Sequence, residues 1–412
     1  MYPPHAYGGY ELSCRDVVER WKSTGHEVLV LTSDVRLGAM LEAPAEEGRN
    51  VRRELRLYWQ DHVILRPSPG RRFAIERSNR RRLEDALSEL RPDVVSAWAM
   101  GAMSMGLLST LGQKAVPLVS VICDEWPVYG PAVDGWLRPM TRHPRAAGVV
   151  RLLTGLPTSP PALDKLGPSC FVSEHVRRVC RERSRWSFPE STVVYSGIEA
   201  AEFRQRAADP EWSWRLLYVG RIDPRKGIDT AVRALAGLPT EATLEICGRG
   251  DDRHVEELHR LVRELGLEGR VSFTSSERSE LSERYAAADV VVFPPVWEEP
   301  FGLVPLEAMA CGTPVVAAPS GGAAEFLVDS GNCLTFPPGD PSALVTSLLR
   351  LAGDPALRRR LVEAGRITAS QLDVDHLAEV LEAWHLYAAG LSGSNRPPDR
   401  LPPSGLEAPE QA

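Results

Sequence analysis

Long apolar runs and paired cysteines are both missing from this chain of 412 residues. No apolar run reaches the roughly 18 residues that a membrane-spanning helix needs, and the first residues do not have the pattern of a signal peptide. The seven cysteines stand singly, without the spacing of a metal site or of a disulfide framework. We therefore predict a cytoplasmic protein that folds in a reducing compartment.

Lysine is also rare, since it accounts for only 4 of the 48 basic residues. The excess of arginine is typical of codon bias, and the arginines from Arg71 to Arg82 should mostly face water on a helix predicted from Ala74 to Leu90. We predict no nucleic-acid partner. The net charge of −7 is uneven, because residues 1–200 carry +4 and the remainder −11. The basic half could meet an anionic lipid or a phosphorylated ligand, and a solvated surface is the alternative.

The acidic pairs that hold a catalytic metal in many enzymes are missing as well. No Asp-x-Asp follows an apolar strand. Asp251 and Asp252 come after a glycine turn, where they predict the N-cap of a helix. We therefore predict that no metal is required and that side chains and a helix terminus supply any positive charge.

Four short motifs, in contrast, follow one another between residues 216 and 327, each at the end of an apolar run. They read LLYVGRIDPRKG (216–227), LEICGRGDD (244–252), VVVFPPVWEEPFGLVPLEAMACGTPVV (290–316) and SGGAAEFL (320–327). Each motif is a weak signal alone. Their order along the chain makes a shared function the better interpretation.

The first motif combines a strand end, two cations and a helix start. The predicted strand 216–220 ends at Gly220, which would let a ligand approach the backbone closely. Arg221 and Lys226 follow, and a helix begins near Ile228. Cations beside a helix N-terminus suit a diphosphate. For this loop alone, a solvated basic turn is the alternative.

The third motif supplies carboxylates and backbone amides. The loop after strand 289–293 carries Glu299, and a helix from Gly302 to about Cys311 places Glu307 in its second turn. An ionised carboxylate accepts several hydrogen bonds and suits ribose and sugar hydroxyls. The amides that could bind phosphate oxygens belong to Phe301, Gly302, Leu303 and Val304. The alternative is an ordinary helix with an acidic first turn.

Together the motifs resemble the donor-nucleotide half of a retaining, family 4 type glycosyltransferase of GT-B fold (glycosyl transferases group 1). The resemblance implies that Arg221 and Lys226 hold the diphosphate of a nucleotide-sugar donor. It also implies that Glu307 binds the nucleotide ribose. Glu299 would contact hydroxyls of the transferred sugar, which makes it a candidate catalytic residue.

Glycines extend this resemblance to both halves of the chain. Gly248 and Gly250 match the family glycines that let the nucleotide lie against the sheet edge. The segment YPPHAYGGYE (2–11) is similar to the glycine-rich loop that follows the first strand of such proteins, which makes Gly9 a candidate donor-binding residue. Only two residues precede Pro3, so we expect either a misplaced start or a missing first, central strand.

A second departure from the family lies in the segment VSVICDEW (119–126). Similar enzymes carry His-Asp at the positions of Cys123 and Asp124. A cysteine is no imidazole base, and a small buried hydrophobe is the alternative for Cys123. Asp124 and Glu125 become candidates for contact with the acceptor, and Asp124 is grouped with Glu299 as catalytic.

The resemblance implies an α/β fold with two Rossmann-like, doubly wound domains that face a central cleft. We expect an acceptor-side domain over 1–200, a linker over 201–213, a nucleotide-sugar-binding domain over 214–370, a crossover helix over 371–390 and a disordered tail over 391–412. Strands of the first domain are predicted near 26–32, 93–97, 116–122, 168–173 and 192–195.

Two insertions interrupt the predicted first domain. Residues 34–57 read as a loop. The second insertion, residues 130–165, contains the apolar patch 148–156, which reads as a helix packed on the domain, with an acceptor lid or a membrane-contacting helix as alternatives.

The implied activity is metal-independent transfer of a sugar from a nucleotide diphosphate to a hydroxyl, with retention through a front-face mechanism. No separate cofactor is expected. A UDP-sugar is the first choice of donor and a GDP-sugar the second, while a sugar, a lipid and a natural product are all open as acceptors. Peripheral contact with the inner membrane face belongs to the same prediction.

Three other functions remain open at this point. A sugar-nucleotide epimerase shares the scaffold, although the glutamate pair and the basic loop favour the transferase. A phosphorylase would need a cofactor lysine, for which the sequence has no motif. A catalytically impaired, nucleotide-binding partner protein would fit the missing strand and Cys123.

Overall fold

The chain forms two compact units. The structure is a computed structural model that describes residues 1–6, 8–36, 50–60, 63–101, 103–203, 211–393 and 397–398. The first unit comprises Met1–Tyr195 and Leu377–Leu401, and the second contains Ser196–His376. Most of the predicted tail from residue 391, and residues 37–49 of the predicted loop, lie outside the described residues.

The first unit alternates strands with helices. Its strands are β1 (Val30–Ser33), β2 (Val51–Leu55), β3 (Trp59–Gln60), β4 (Val63–Ile64), β5 (Val95–Trp98), β6 (Leu118–Ile122), β7 (Ser169–Phe171) and β8 (Ser191–Val193). Its helices are α1 (Gly9–Ser23), α2 (Pro69–Leu90), α3 (Gly106–Gln113), α4 (Trp126–Val133), α5 (Leu137–Arg142), α6 (Pro144–Thr154) and α7 (Glu174–Arg183). Most of these strands come from mainly apolar runs, with the charged β2 as an exception, and each strand predicted in this unit overlaps an observed one.

Among the described residues, the parallel strands of this unit fall into two sheets. One has the order β5-β6-β7-β8, and the other pairs β1 with β2. The short β3 and β4 form an antiparallel hairpin. Ahead of α1, Tyr2 and His5 form an isolated bridge, and no strand occurs within residues 1–6.

Three sequence predictions need correction here. The segment 34–57 is not loop throughout, because β2 lies within it and pairs with β1 despite its charged side chains. Helix α2 begins at Pro69 and not at Ala74, since proline is favoured at the first position of a helix. The patch 148–156 includes the end of α6, but Leu152 and Leu153 are exposed, so the packed account is wrong for them.

The second unit is built around parallel strands. These are β9 (Arg215–Val219), β10 (Thr243–Cys247), β11 (Val271–Thr274), β12 (Val290–Phe293), β13 (Val315–Ala317) and β14 (Leu334–Thr335). Its helices are α8 (Ile228–Leu235), α9 (Asp252–Glu264), α10 (Arg278–Ala287), α11 (Leu303–Cys311), α12 (Pro341–Gly353) and α13 (Pro355–Gln371). Helix α14 (Val374–Ala388) follows and runs into the first unit. As predicted, Asp251 caps α9 by accepting a hydrogen bond from the amide of Arg253 at 2.8 Å.

Within residues 211–393, the strands form one sheet in the order β11-β10-β9-β12-β13-β14. Counted within this unit, that order is 3-2-1-4-5-6, the arrangement of a dinucleotide-binding Rossmann domain. Ligands of such sheets bind beside the carboxyl ends of the strands where the order reverses, which here are β9 and β12. Strand β12 is buried along its length, as expected for the centre of a parallel sheet.

Helix α14 packs into the core of the first unit. Leu381 and Trp384 lie in a cluster with Val17 of α1 and Val119 of β6. The indole of Trp21 donates to the carbonyl of Ala378 at 3.1 Å. Each large apolar side chain buried in this way contributes about 1.5–3 kcal/mol. None of the helices in the described residues combines the length and apolar character that crossing a bilayer requires.

A buried carboxyl group lies inside the first unit. Glu76 of α2 accepts hydrogen bonds from the hydroxyl groups of Tyr58 at 2.7 Å and Ser104 at 2.6 Å. Burial, together with the charge of the nearby Asp134, raises the pKa of Glu76 from 4.5 to about 7, although the hydrogen bonds from Ser104 and Tyr58 act in the opposite direction. The folded chain therefore holds a proton at a pH where the unfolded chain has released it.

Replacing Glu76 should flatten the pH dependence of folding. The raised pKa makes the folded state more stable below pH 4.5 and lowers its free energy of unfolding as the pH rises towards about 7. Glu76→Gln should remove up to about 3 kcal/mol of that decline. Urea unfolding of the wild type and of Glu76→Gln, near pH 5 and near pH 8, measures this decline in the free energy of unfolding. Asp85→Asn, on the exposed face of the same helix, should keep the pH dependence of the wild-type free energy of unfolding. If Glu76→Gln also keeps that pH dependence, Glu76 is not the group that titrates.

Candidate functional site

The basic loop after β9 is shaped by two glycines and an aspartate. Gly220 has φ +142° and lets the chain turn away from the sheet. Asp223 accepts from the amide of Arg225 at 2.9 Å and pairs with its guanidinium at 2.8 Å, which closes the turn Pro224–Lys226. A methyl group at Gly227 would lie 2.0 Å from the carbonyl oxygen of Pro294, so only glycine lets this loop lie against the end of β12.

The basic loop and the acidic loop meet in a buried ion pair. The ammonium group of Lys226 lies 2.5 Å from Oε1 of Glu299, and the indole of Trp297 donates to the same oxygen at 2.8 Å. The Lys226 and Glu299 side chains are 19% and 6% exposed. Lys226 and Arg225 also lie over the Trp297 ring, at 5.4 and 4.6 Å from its centre. A cation and a carboxylate are thus fixed together where the strand order reverses.

Arg221 remains available in the same loop. Its guanidinium makes no side-chain hydrogen bond with the described residues, and the hydroxyl of Tyr218 holds its carbonyl oxygen at 2.7 Å. The backbone of Arg221 is thus fixed while its guanidinium can donate to an anionic group of a ligand.

The motif that begins SGG (320–322) holds the acidic loop by its backbone. The amide of Gly322 donates to the carbonyl of Glu299 at 2.7 Å, and the hydroxyl of Ser320 donates to the carbonyl of Trp297 at 2.6 Å. A methyl group at Gly321, where φ is +59°, would lie 2.4 Å from the carbonyl oxygen of Glu299. This motif therefore positions Glu299, a role that the sequence did not indicate.

Gly248 and Gly250 have a packing role in the structure. A methyl group at Gly248 would lie 1.8 Å from the carbonyl oxygen of Gly220, and one at Gly250 would lie 1.9 Å from that of Ile222. These glycines let the loops after β9 and β10 run side by side. Their predicted contact with a nucleotide stays a prediction.

Helix α11 begins with amides that have no internal acceptor. Gly302 precedes it with φ +99°, and no side chain caps the helix. The amides of Leu303 and Val304 have no hydrogen-bond acceptor among the described residues, and Pro305 has no amide hydrogen. Such a helix end carries partial positive charge and can bind phosphate oxygens. The Phe301 side chain is buried and packs on Phe326, with ring centres 5.1 Å apart.

Glu307 is held from both sides in the second turn of α11. Its Oε1 accepts from the guanidinium of Arg278 at 3.1 Å, and its Oε2 accepts from the hydroxyl of Tyr285 at 2.7 Å. The residue is 5% exposed. An ionised carboxylate has about four lone-pair sites, so two remain for further donors such as sugar hydroxyls.

Comparison with known proteins gives a family for this arrangement. Residues 199–368 match the family described as Glycosyl transferases group 1, and residues 8–166 match the Glycosyl transferase 4-like domain. The chain belongs to the family 4 type of glycosyltransferases.

Curated relatives of this chain are similar to it over part of their length. It is 38% identical over 181 residues to D-inositol 3-phosphate glycosyltransferase of Xylanimonas cellulosilytica, which is 43% of each chain. It is 33% identical over 221 residues to glycogen synthase of Mycobacterium tuberculosis, which is 52% of each chain. The chain thus spans about half the length of the curated relatives it matches.

A solved structure of another protein has the same fold as this chain. Anabaena HepE in complex with UDP-glucose is similar with a TM-score of 0.67 and 22% identity, over 92% of this chain and 97% of that chain. The predicted α/β fold of GT-B type is confirmed.

The first unit contains two further predicted site residues. Gly9 is the first residue of α1, and the side chain of Glu11 accepts from the amide of Gly8 at 3.2 Å. Asp124 accepts from the amide of Trp126 at 2.9 Å and from the hydroxyl of Tyr129 at 2.8 Å. Burial raises the pKa of Asp124 to about 6. The observed contacts hold α4 in place, and contact with an acceptor stays a prediction.

Cys123 lies at the position where the family resemblance implies a histidine. Burial raises the pKa of its thiol well above the usual value. Its side chain packs against the core that contains Val121 and Cys170. The thiol therefore stays protonated near neutral pH, as a small hydrophobe would.

Sequence reasoning missed three side chains of this site. Arg278 and Tyr285 hold Glu307 from helix α10, and Trp297 holds Glu299. Arg278 and Tyr285 follow no motif. Trp297 precedes Glu299 by two residues in the third motif. Its closeness in sequence to a predicted carboxylate was the signal that could have indicated a hydrogen bond between the two.

Proposed function

We propose that the protein transfers a sugar from a nucleotide diphosphate to a hydroxyl group, with retention at the anomeric carbon. The observation that carries the proposal is the 2.5 Å contact between Lys226 and Glu299 beside the ends of β9 and β12. The contact joins a cation suited to a diphosphate with a carboxylate suited to sugar hydroxyls. The names of the relatives, which include a glycosyltransferase and a synthase of glycogen, support the same reaction.

The donor in this proposal is a UDP-sugar, with a GDP-sugar as second choice. The UDP-glucose complex of the similar Anabaena protein supports the first choice. Positive charge for the diphosphate comes from Arg221, Lys226 and the N-terminus of α11, so the reaction proceeds without a divalent metal or a separate cofactor. Glu307, fixed by Arg278 and Tyr285, binds the ribose.

The chemical step follows a front-face course. The bond between the anomeric carbon and the diphosphate oxygen breaks while the acceptor oxygen forms its bond on the same face. The acceptor proton passes to an oxygen of the leaving diphosphate. Lys226 stabilises the charge on that diphosphate, Glu299 orients the sugar through its hydroxyls, and Asp124 contacts the acceptor.

A panel of nucleotide diphosphates tests the binding half of this proposal. UDP should raise the melting temperature most, because a ligand present at 100 times its dissociation constant adds about 2.7 kcal/mol to the free energy of unfolding. The stabilisation should be the same with EDTA present. A panel in which neither UDP nor GDP stabilises the protein would contradict the proposed donor site.

Incubation with the donor tests the reaction itself. UDP release should depend on an added hydroxyl acceptor, and the product should keep the anomeric configuration of the donor. Conversion of the donor sugar without any acceptor would favour an epimerase. Donor binding without turnover over a broad acceptor panel would favour a nucleotide-binding partner protein.

A further inference from the structure

Helix α6 exposes an apolar face. Leu152 is 86% exposed, Leu153 is 78% exposed and Val149 is 57% exposed. These three residues are spaced i, i+3 and i+4 and therefore share one side of the helix. Ala147 is the residue of α6 that is buried. Leucines exposed to this extent as a group indicate a surface that another apolar body covers.

The segment that carries this apolar face has arginines and no acidic residues. Residues 135–163 contain no Asp or Glu, and their four arginines are exposed. These are Arg138, Arg142, Arg145 and Arg151. None of the four has an ion-pair partner among the described residues. The segment thus combines exposed leucines with uncompensated charge of one sign.

The helix is also fixed to the first unit at its C-terminal end. Gly155 ends the helix with φ +68°, and its carbonyl accepts from the guanidinium of Arg80 at 2.5 Å. The next residue, Leu156, is 3% exposed, and the indole of Trp136 donates to the carbonyl of Pro157 at 2.6 Å. The exposed leucines are therefore presented on an anchored helix.

We propose that α6 docks the first unit onto an anionic lipid surface. Val149, Leu152 and Leu153 enter the boundary between head groups and acyl chains, and the arginines contact lipid phosphates. Helices that combine an apolar face with a basic one bind membranes in this orientation. The attraction between arginine and anionic head groups makes docking sensitive to salt.

The charge and polarity of this surface favour an anionic lipid bilayer over a second copy of the chain and over a sugar chain. A second copy of the chain, paired through the same face about a twofold axis, would bring like charges together without acids to compensate them. A sugar chain offers hydroxyl groups, whereas Leu152 and Leu153 offer no hydrogen-bonding atoms. An anionic bilayer satisfies both the apolar and the basic part of the surface.

Vesicle sedimentation tests the proposal on the full chain without any sugar donor, so its result does not depend on the proposed transfer. Vesicles of phosphatidylcholine and phosphatidylglycerol in equal parts are compared with phosphatidylcholine alone. We expect binding to the mixed vesicles that is roughly tenfold tighter and weakens with salt. Leu152→Glu combined with Leu153→Glu should reduce that binding by at least roughly tenfold. Arg145→Ala combined with Arg151→Ala should reduce it several-fold.

Two controls make the result specific to α6. Leu349→Glu places the same charge on an exposed leucine of α12, which is 46% exposed, and should bind vesicles like wild type. Melting temperatures show that the variants are folded. Wild-type protein that ignores anionic vesicles, or a double glutamate variant that binds like wild type, overturns the proposal. So does a wild-type dimer that the double glutamate variant converts to a monomer while neither binds vesicles.

Discussion

Glu299→Gln should reduce sugar transfer about 100-fold or more while the affinity for the nucleotide diphosphate stays equal or increases. Glutamine keeps the shape of the side chain and can still accept from Trp297, but it loses the negative charge. That charge now neutralises Lys226 at 2.5 Å. Without it, Lys226 interacts more strongly with a diphosphate, whereas the sugar loses its strongest hydrogen-bond acceptor. Turnover with UDP-glucose and calorimetric titration with UDP measure the two effects.

Glu298→Gln is the matched control for this experiment. Glu298 is adjacent in sequence and exposed, so the variant should retain turnover and affinity within about twofold. Undiminished turnover of Glu299→Gln would remove the role assigned to Glu299. Loss of nucleotide affinity in parallel with turnover would indicate that the variant disturbs the loop and not the sugar contact.

Lys226→Ala should weaken the binding of all nucleotide diphosphates about 10- to 100-fold. A hydrogen bond from a cation contributes about 1.5–3 kcal/mol, and 1.4 kcal/mol corresponds to a factor of ten in affinity. The loss should be smaller for a nucleoside without phosphate, because Lys226 meets the diphosphate in this proposal. Removal of Lys226 also leaves the 6% exposed carboxylate of Glu299 without its cation, so a lower melting temperature should accompany the loss.

Arg233→Ala provides the comparison for Lys226. Arg233 lies on α8 directly after the basic loop, and its side chain is exposed. That variant should bind UDP like wild type, and Lys226→Arg should recover part of the affinity because it restores the charge. Equal UDP affinity of Lys226→Ala and wild type would place the diphosphate elsewhere.

Much of the second unit could be predicted from its sequence because its central strands β9 and β12 are buried along nearly their whole length. The runs that became β9, β10 and β12 are apolar and end in glycine or proline, so their ends could be located within one or two residues. The loops that follow them then had to lie at one edge of a parallel sheet. That topology brings the loops of Lys226 and Glu299 to the same sheet edge, and Gly227 and the motif that begins SGG (320–322) then fix their contact.

The remaining features depend on contacts that local sequence does not contain. Strand β2 reads Val-Arg-Arg-Glu-Leu. Its charged residues do not have the apolar pattern of a strand, which forms here through backbone pairing with β1. Arg278 and Tyr285 reach Glu307 across 29 and 22 residues of chain. The exposure of α6 could not be predicted from the sequence either. Leucines at helical spacing indicate an apolar face, but they do not show whether another part of the chain covers it.

The close approach of Gly227 to Pro294 has a consequence for the range of donors in the proposed function. Even a single methyl group at Gly227 would push the two loops apart, because it would lie 2.0 Å from the carbonyl oxygen of Pro294. The backbone spacing of the loops that carry Lys226 and Glu299 therefore depends on this one glycine. In the proposed function, variation in which sugar is accepted then has to come from the segments that border these two loops.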